Sequence, residues 1–390
     1  MKLLHTADWH LGKLFHAQSL TQDQSVVLQQ FLEHVKDAKP DAILIAGDIY
    51  DRSVPPKEAV EVFDWVLEEL ILNFRIPVIA IAGNHDSPER IDFGSKLLQK
   101  QRLHIFGKPS LQPKADLYLE DRFGKVYFYP FPFIEPANLR FLLDQPEGEF
   151  QSHEAIFRWF AEEVEKVHPF PARSVCLAHP FVTGVGEKHE NAADAERRIS
   201  VGGQYRVPRD VFSEFSYTAL GHLHSREALR GQDVHYSGSL MKYSFAESHH
   251  EKSVTLVELD ERGTPKLNFL PLSAPRDVRY LKGKIERQQF IPNAAEELPK
   301  KEDFLIVELE NEGLVLHALS IIQESYPNAV GLRDTGNRTQ ENTTKLDLEQ
   351  LESHSPEQLF ETFYEEITGQ KMDDTRRRII QETVREVEQE

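Results

Sequence analysis

The sequence predicts an α/β fold with a two-layered β-sheet core flanked by helices, followed by a small α+β domain and C-terminal helices. Three observations carry this reading. Short apolar runs alternate with amphipathic helical stretches through the first hundred residues. Strand-like runs crowd together between Leu103 and Leu259, and the pattern changes again at Ala274-Pro275-Arg276. At 390 residues the chain has room for two or three domains, with boundaries expected at 1–273, 274–348 and 349–390.

Taken in order, Lys2 to Thr6 reads as a buried strand, and Thr21 to Lys36 as a helix with Val27, Leu28, Phe31, Leu32 and Val35 on one face. Asp41 to Ala46 is a second apolar strand. Pro55-Pro56 opens a helix carrying Val60, Phe63, Val66, Leu67 and Leu70, and Ile76 to Ala82 is a third strand. This β-α-β-α-β order calls for parallel strands joined by right-handed crossovers. Further strands are expected at Val126 to Phe131, Ser174 to Ala178, Tyr217 to Leu220, Val234 to Tyr236 and Ser253 to Leu259, with a helix at Ser152 to Val167. In the second domain, Val278 to Ile285 and Asp303 to Leu309 are strand-like, and Leu314 to Ser325 is helical. A polar loop follows from Asp334 to Thr344. Ser355-Pro356-Glu357 then starts a helix, Ser at the cap and Pro in the first turn.

Composition bounds the function. Hydrophobic residues make up 40% and charged residues 28%, as in an ordinary globular chain with a sizeable core. The one cysteine, Cys176, excludes an intramolecular disulfide and a cysteine-based zinc cluster, and fits a reducing cytoplasm. The N-terminus turns polar too soon for a signal peptide, and no apolar run reaches the roughly 18 residues of a membrane-spanning helix. A soluble, cytoplasmic protein with no membrane partner is expected. The formal net charge of −19 is awkward for a chain that handles nucleic acid. Bound divalent cations, or a partner that brings the basic surface, would reconcile the two.

The chemistry is carried by five short polar clusters, each placed after an apolar strand. They are Asp8-Trp9-His10, Gly47-Asp48-Ile49-Tyr50-Asp51, Gly83-Asn84-His85-Asp86, His179-Pro180 and Gly221-His222-Leu223-His224. Ligands of open α/β sheets bind at the carboxyl ends of strands, so these runs would deliver Asp, Asn and His side chains to one sheet edge. Singly, each cluster has an ordinary explanation as a turn or a solvated pair; five in this order do not. Mixed imidazole and oxygen donors suit manganese, iron or zinc, and they are numerous enough for two ions with Asp48 placed between them. Two such ions clamp a phosphate and activate water. His85 is the candidate to stabilise the developing charge or to protonate a leaving oxygen, with Asp86 or Asp51 to orient it.

The ordered set resembles the calcineurin-like metallophosphoesterase superfamily, and within it the SbcD family of nuclease subunits. The resemblance rests on His5-Thr6-Ala7-Asp8-Trp9-His10-Leu11-Gly12, on Gly47 to Asp51, on Gly83 to Ser87, on Gly221 to His224 and, in support, on Tyr236-Ser237-Gly238-Ser239. It implies a metallophosphoesterase nuclease domain at 1–273, a capping domain at 274–348 and partner-docking helices at 349–390. One metal would be held by Asp8, His10, Asp48 and His224, the other by Asp48, Asn84, His179 and His222, with manganese the usual ion and His85 the catalytic histidine. The implied reactions are 3′-to-5′ exonuclease cleavage of duplex DNA and endonuclease cleavage of single strands and hairpins, in DNA end processing, repair and recombination. The implied partners are DNA, a second copy of the chain and an SbcC-type coiled-coil ATPase, in a heterotetramer associated with the bacterial nucleoid. Asp51 and Arg52 stand where eukaryotic and archaeal members commonly carry a histidine, so nothing resting on that histidine is carried over.

Lys13, His16, Arg52, Lys57 and Arg90 flank the clusters and are candidate phosphate contacts. In the tail, the stripes Leu359, Phe360, Phe363, Ile367 and Ile380, Val384, Val387 fit either a partner coiled coil or this chain's own surface. Arg376-Arg377-Arg378 reads as a solvated or partner-facing helix. Two rivals share these residues: a phosphoesterase of nucleotides or phosphomonoesters, and a non-catalytic scaffold, against which the full ligand set argues.

Overall fold

The computed structural model describes residues 1–146, 148–183, 205–293, 298–311 and 315–334, and in the tail 361, 372, 373, 376–378, 380 and 384. The chain divides into two compact units, Met1–Asp334 and Thr335–Glu390.

The first unit is built on two stacked sheets. One has six strands in the order Pro265–Pro271, Ser253–Leu259, Lys2–Thr6, Ala42–Ala46, Val78–Ile81 and Leu103–Phe106. Lys2–Thr6 pairs in parallel with Ala42–Ala46, which pairs in parallel with Val78–Ile81, as the β-α-β-α-β order requires. The other sheet has five strands in the order Val234–Tyr236, Tyr217–Leu220, Arg173–Ala178, Gly124–Phe131 and Tyr118–Asp121.

Alternation along each strand explains the layering. Leu3, Leu44, Ile79 and Ile81 point inward and share a core with Val126, Phe128, Val175, Leu177 and Tyr217 of the facing sheet. Leu4, Ile43, Ile45 and Val78 point outward, against Val27, Leu28, Phe31 and Val35 of the helix Thr21–Ala38 and Phe63 and Val66 of Lys57–Glu68. The outer face of the five-stranded sheet packs on the helix His153–Glu165 through Ile156, Phe157 and Phe160. Central strands buried on both faces read as unbroken apolar runs, which is why Ala-Ile-Leu-Ile-Ala was legible as a strand.

Three strands of these two sheets are not legible in the sequence: Leu103–Phe106, where His104 breaks the apolar run, Tyr118–Asp121, and Pro265–Pro271, at the sheet edge. Val60 was expected on the buried face of its helix but is 44% exposed. The face instead runs through Ala59, Phe63 and Val66, about a hundred degrees round the helix from Val60.

Residues 278–334 form a separate four-stranded sheet, ordered Gln289–Pro292, Val278–Glu286, Phe304–Leu309, Ala329–Asp334. The helix Ala318–Ser325 covers it through Ala318 and Ile322. This sheet sits on the short hairpin and first helix of the body. Arg276 forks onto the buried Asp23 carboxylate, reaches Gln18 at 2.7 Å, and lies 4.7 Å over the Phe304 ring, which meets Phe15 edge-on at 4.9 Å. In the second unit, Ile380 and Val384 are helical and half-buried, and Arg377 pairs with Glu361. The expected stripe Leu359, Phe360, Phe363, Ile367, the residue Val387, the helix start at Ser355 and the loop beyond Asp334 lie outside the described residues.

Arg276→Ala strands the Asp23 carboxylate and is expected to lower stability by about 3 kcal/mol in urea denaturation. A loss under about 1 kcal/mol would mean that the pair behaves as an exposed one.

Candidate metal centre

The donors arise at strand ends that turn sharply. Asp8, His10 and Asp48 all adopt positive φ (53°, 45° and 49°), as does His222 at 101°. Non-glycine residues held there are strained, and such positions gather at functional sites. Trp9 explains the first turn. Its indole donates to Thr6 Oγ1 at 2.8 Å and packs on Phe31 and Phe63, so the chain is pinned while the residues on either side enter the site. Gly47 follows the second strand at φ +96°, where a Cβ would lie 2.3 Å from His179 Nδ1; one on Gly83 would lie 2.2 Å from Asp48 Oδ1. Side chains at these positions would occupy the space of the donors.

The expected ligands converge, but from two sheets rather than from one edge. Asp8, His10, Asp48 and Asn84 come from the six-stranded sheet, and His179, His222 and His224 from the five-stranded one. Asp48 Oδ2 lies 3.2 Å from His179 Nε2 and 3.7 Å from His10 Nε2, between the two halves of the site. On one side His10 Nε2 is 3.1 Å from His224 Nε2; on the other, Asn84 Oδ1 is 3.2 Å from His179 Nε2 and 3.1 Å from His222 Nδ1. Asp8, His10 and His224 form one group able to hold a metal, and Asp8, Asp48 and His179 form another.

The ring orientations suit metal ligation. His179 Nδ1 donates to the Ala46 carbonyl at 2.7 Å, which leaves Nε2 turned toward Asp48. His224 Nδ1 donates to Glu247 Oε1 at 3.1 Å, and Glu247 is itself held by Lys252 at 2.6 Å. Lys252 also donates to the His224 carbonyl and to Ser239 Oγ, which gives the Tyr236 to Ser239 stretch a structural part. Tyr236 adds to it by donating to the Pro180 carbonyl, just past His179. The buried amide of Gln24 donates to the carbonyls of Trp9 and His10. Sequence reasoning missed Gln24, Glu247 and Lys252. Glu247 and Lys252 sit in a polar stretch that looks like solvated loop, and Gln24 looks like one more polar position on an amphipathic helix.

Burial sets the charges. Desolvation pushes His10 down to about 4 and His222 to about 3, so both rings are neutral with lone pairs to give. Burial, then the neighbouring Asp48, raise Asp8 to about 6, although His179 and His224 pull it down. Burial also opposes charge on His179 and on Asp48, but their contact outweighs it. Asp48 is held well below the usual carboxylate range, and His179 is raised to about 9. Without a metal, the His179 proton balances the buried carboxylate.

His85 is exposed beside this cluster, its ring 4.8 Å from that of His10. Its backbone N–H donates to Asp48 Oδ1 at 2.8 Å, and its Nδ1 donates to the Asp51 carbonyl at 2.9 Å, so Nε2 is the atom left for chemistry. The Asp51 carboxylate instead meets Lys13 at 2.7 Å. Asp86, expected beside His85 as a catalytic or orienting acid, is turned away. Its buried oxygens accept the backbone N–H groups of Gly83, Ile49 and Tyr50, and brace two ligand loops against each other. Of the candidate phosphate contacts, Lys13 is partly buried and paired with Asp51, whereas His16, Arg52, Lys57 and Arg90 are exposed, Lys57 in a surface pair with Glu61.

Two outcomes follow from the charges and the buried support. Metal must displace the His179 proton, so affinity should rise roughly tenfold per pH unit up to about 9 and level off above it. Calorimetry at neutral pH in buffers of differing ionisation enthalpy should read about one proton released as the site that includes His179 fills; none released would mean that His179 is already neutral. Glu247→Gln should weaken manganese binding by about 10- to 100-fold while the fold is kept, as read by electron paramagnetic resonance.

Comparison with known proteins agrees with this geometry. A family model described as calcineurin-like phosphoesterase matches residues 1–226, and one described as type 5 capsule protein repressor C-terminal domain matches residues 275–368. A relative from Staphylococcus saprophyticus, named as a subunit of the nuclease SbcCD, is 31% identical over 377 residues, 95% of this chain and 94% of that one. A crystal structure of a Thermus thermophilus protein overlaps at TM-score 0.38 and 14% identity, over 69% of this chain and 98% of that one; the assignment does not rest on it. Donors gathered from the ends of two sheets, a family model over the whole site and a relative matched almost end to end agree: the chain belongs to the calcineurin-like phosphoesterase family.

Proposed function

We propose that the chain is a metal-dependent DNA nuclease, cutting duplex ends 3′ to 5′ and single strands and hairpins internally, as the partner of an SbcC-type ATPase in DNA end processing. The observation that carries the chemistry is the exposed His85, its Nε2 directed away from its anchoring hydrogen bond and its backbone tied to the carboxylate between the two donor groups. Asp8, His10, Asp48 and His224 would hold one divalent ion, and Asp48, Asn84, His179 and His222 the other, with manganese the proposed metal. Bound there, the ions supply positive charge against the phosphate oxygens and lower the pKa of water.

The chain's own contribution is positional. Asp48 shares one carboxylate between both halves, the His179 and His224 rings are oriented by their Nδ1 hydrogen bonds, and the Asp51 carbonyl fixes the His85 ring. Attack of water on phosphorus breaks the bond to the leaving oxygen, which takes the proton carried on His85 Nε2; the attacking water's proton passes to solvent, from which His85 Nε2 is reprotonated. The near full-length match to a subunit named for the SbcCD complex supports DNA as the substrate over a small phosphoester. The same reading takes 1–273 as the nuclease domain, 274–348 as a cap and 349–390 as the partner-docking segment, of a homodimer that forms a heterotetramer with the ATPase in the bacterial cytoplasm. Exposed His16, Arg52, Lys57 and Arg90 are the proposed DNA contacts.

End-labelled duplex and hairpin DNA, incubated with manganese, magnesium or EDTA, tests the reading. Cutting should require manganese and vanish in Asp48→Ala, while His85→Ala should lose about 10²- to 10⁴-fold in kcat with metal affinity retained. Hydrolysis of nitrophenyl phosphate without any DNA cleavage, the ATPase present, would instead assign a small phosphoester as substrate.

A further inference from the structure

A second cleft opens on the far side of Asn84. It encloses about 430 Å³ between the loop Asn84–Glu89, the turn at Gly107 and the segment Phe133–Leu142. Asn84 forms a wall of both the cleft and the metal centre, where its Oδ1 faces His179 and His222. The floor is fixed to the strand that carries Asn84: Phe133 N–H donates to the Ala82 carbonyl at 3.0 Å, and the buried His153 ring supports Phe133 edge-on at 5.3 Å. The other walls are Ile134, Leu142 and Phe141. Phe141 is 85% exposed at the end of the helix Pro136–Leu142, an aromatic face left in water on the rim.

The lining rejects an anion. Glu135 and Glu89 contribute carboxylates, and the lysine of the lining, Lys108, is paired with Glu89 at 3.0 Å. Asn138 offers a donor and an acceptor on the exposed edge. An apolar slot with an aromatic lip, a neutral hydrogen-bonding edge and no available positive charge suits a flat neutral heterocycle. With the nuclease reading placing a phosphate among the metal donors, we propose that this cleft takes the nucleobase next to the scissile phosphate, stacked on Phe141. The base must be unpaired to enter, so the cleft selects single-stranded or frayed ends over intact duplex.

The test uses the full-length protein with manganese and, where cutting requires it, the ATPase. The substrates are a single-stranded oligonucleotide and the same strand with abasic nucleotides flanking one scissile linkage. Wild type should show about a tenfold higher KM at the abasic linkage. Phe141→Ala should show that same loss on the normal strand and none further on the abasic one, with kcat kept, and Phe141→Trp should restore the preference. Equal cleavage of both strands by wild type, or wild-type KM in Phe141→Ala, overturns the proposal. Failure of the nuclease reading looks different: wild type hydrolyses bis-(p-nitrophenyl) phosphate and cuts neither strand, which removes the base-binding role as well.

Discussion

The constraint on which the rest of the structure depends is a buried carboxylate shared by two sets of donors. Asp48 is 2% exposed, meets His179 and His10 through one oxygen, and receives the His85 N–H on the other. A lone charge in that position is costly to desolvate, so it exists only with compensation. The His179 proton provides it in the metal-free chain, and divalent ions would provide it in the loaded one. The neutrality of His10 and His222 and the sharp turns that bring Gly47 and Gly83 against neighbouring donors serve the same arrangement.

Holding that carboxylate between two donor sets needs more than one sheet. The inner faces of both sheets share a core in which Leu44 and Ile81 meet Val175 and Leu177, a few residues ahead of Asp48, Asn84 and His179. Inter-sheet packing therefore sets the distance between the two halves of the site. An error of one residue in strand register would turn the inward set outward and separate the donors. Behind the ligands, polar groups hold the loops: Asp86 ties two together through three backbone N–H groups, Gln24 holds the carbonyls around Trp9, and the Glu247–Lys252 pair supports His224. Burial would raise Glu247, but Lys252 and His224 hold it below the usual carboxylate range, so it stays an acceptor.

The surface divides the chemistry by charge. The metal centre concentrates acidic groups, and two basic residues near it are paired internally, Lys13 with Asp51 and Lys252 with Glu247. With an overall charge of −19, the chain offers little positive field of its own. On the proposed reading, its attraction for a polyanion would rest on bound cations, a few exposed groups such as Arg52 and Arg90, and a basic surface brought by a partner.

By itself the sequence determined the order of the central elements, their parallel strands and the Asp, Asn and His residues that the fold brings together. Apolar runs buried on both faces are legible as runs, and Asp, Asn and His immediately after such runs have few structural reasons to recur five times. It did not determine that the donors belong to two sheets, because strand pairing between distant segments leaves no periodic trace. Of the two residues named to orient His85, Asp86 stands next to it yet braces the backbone instead, and Asp51, thirty-four residues earlier, acts through its carbonyl rather than its carboxylate. Gln24, Glu247 and Lys252 were invisible for the same reason: their polarity reads as solvent exposure until the fold buries them. Residue type is local and survives in the sequence; orientation and burial arise from packing between segments far apart, and only the tertiary structure decides them.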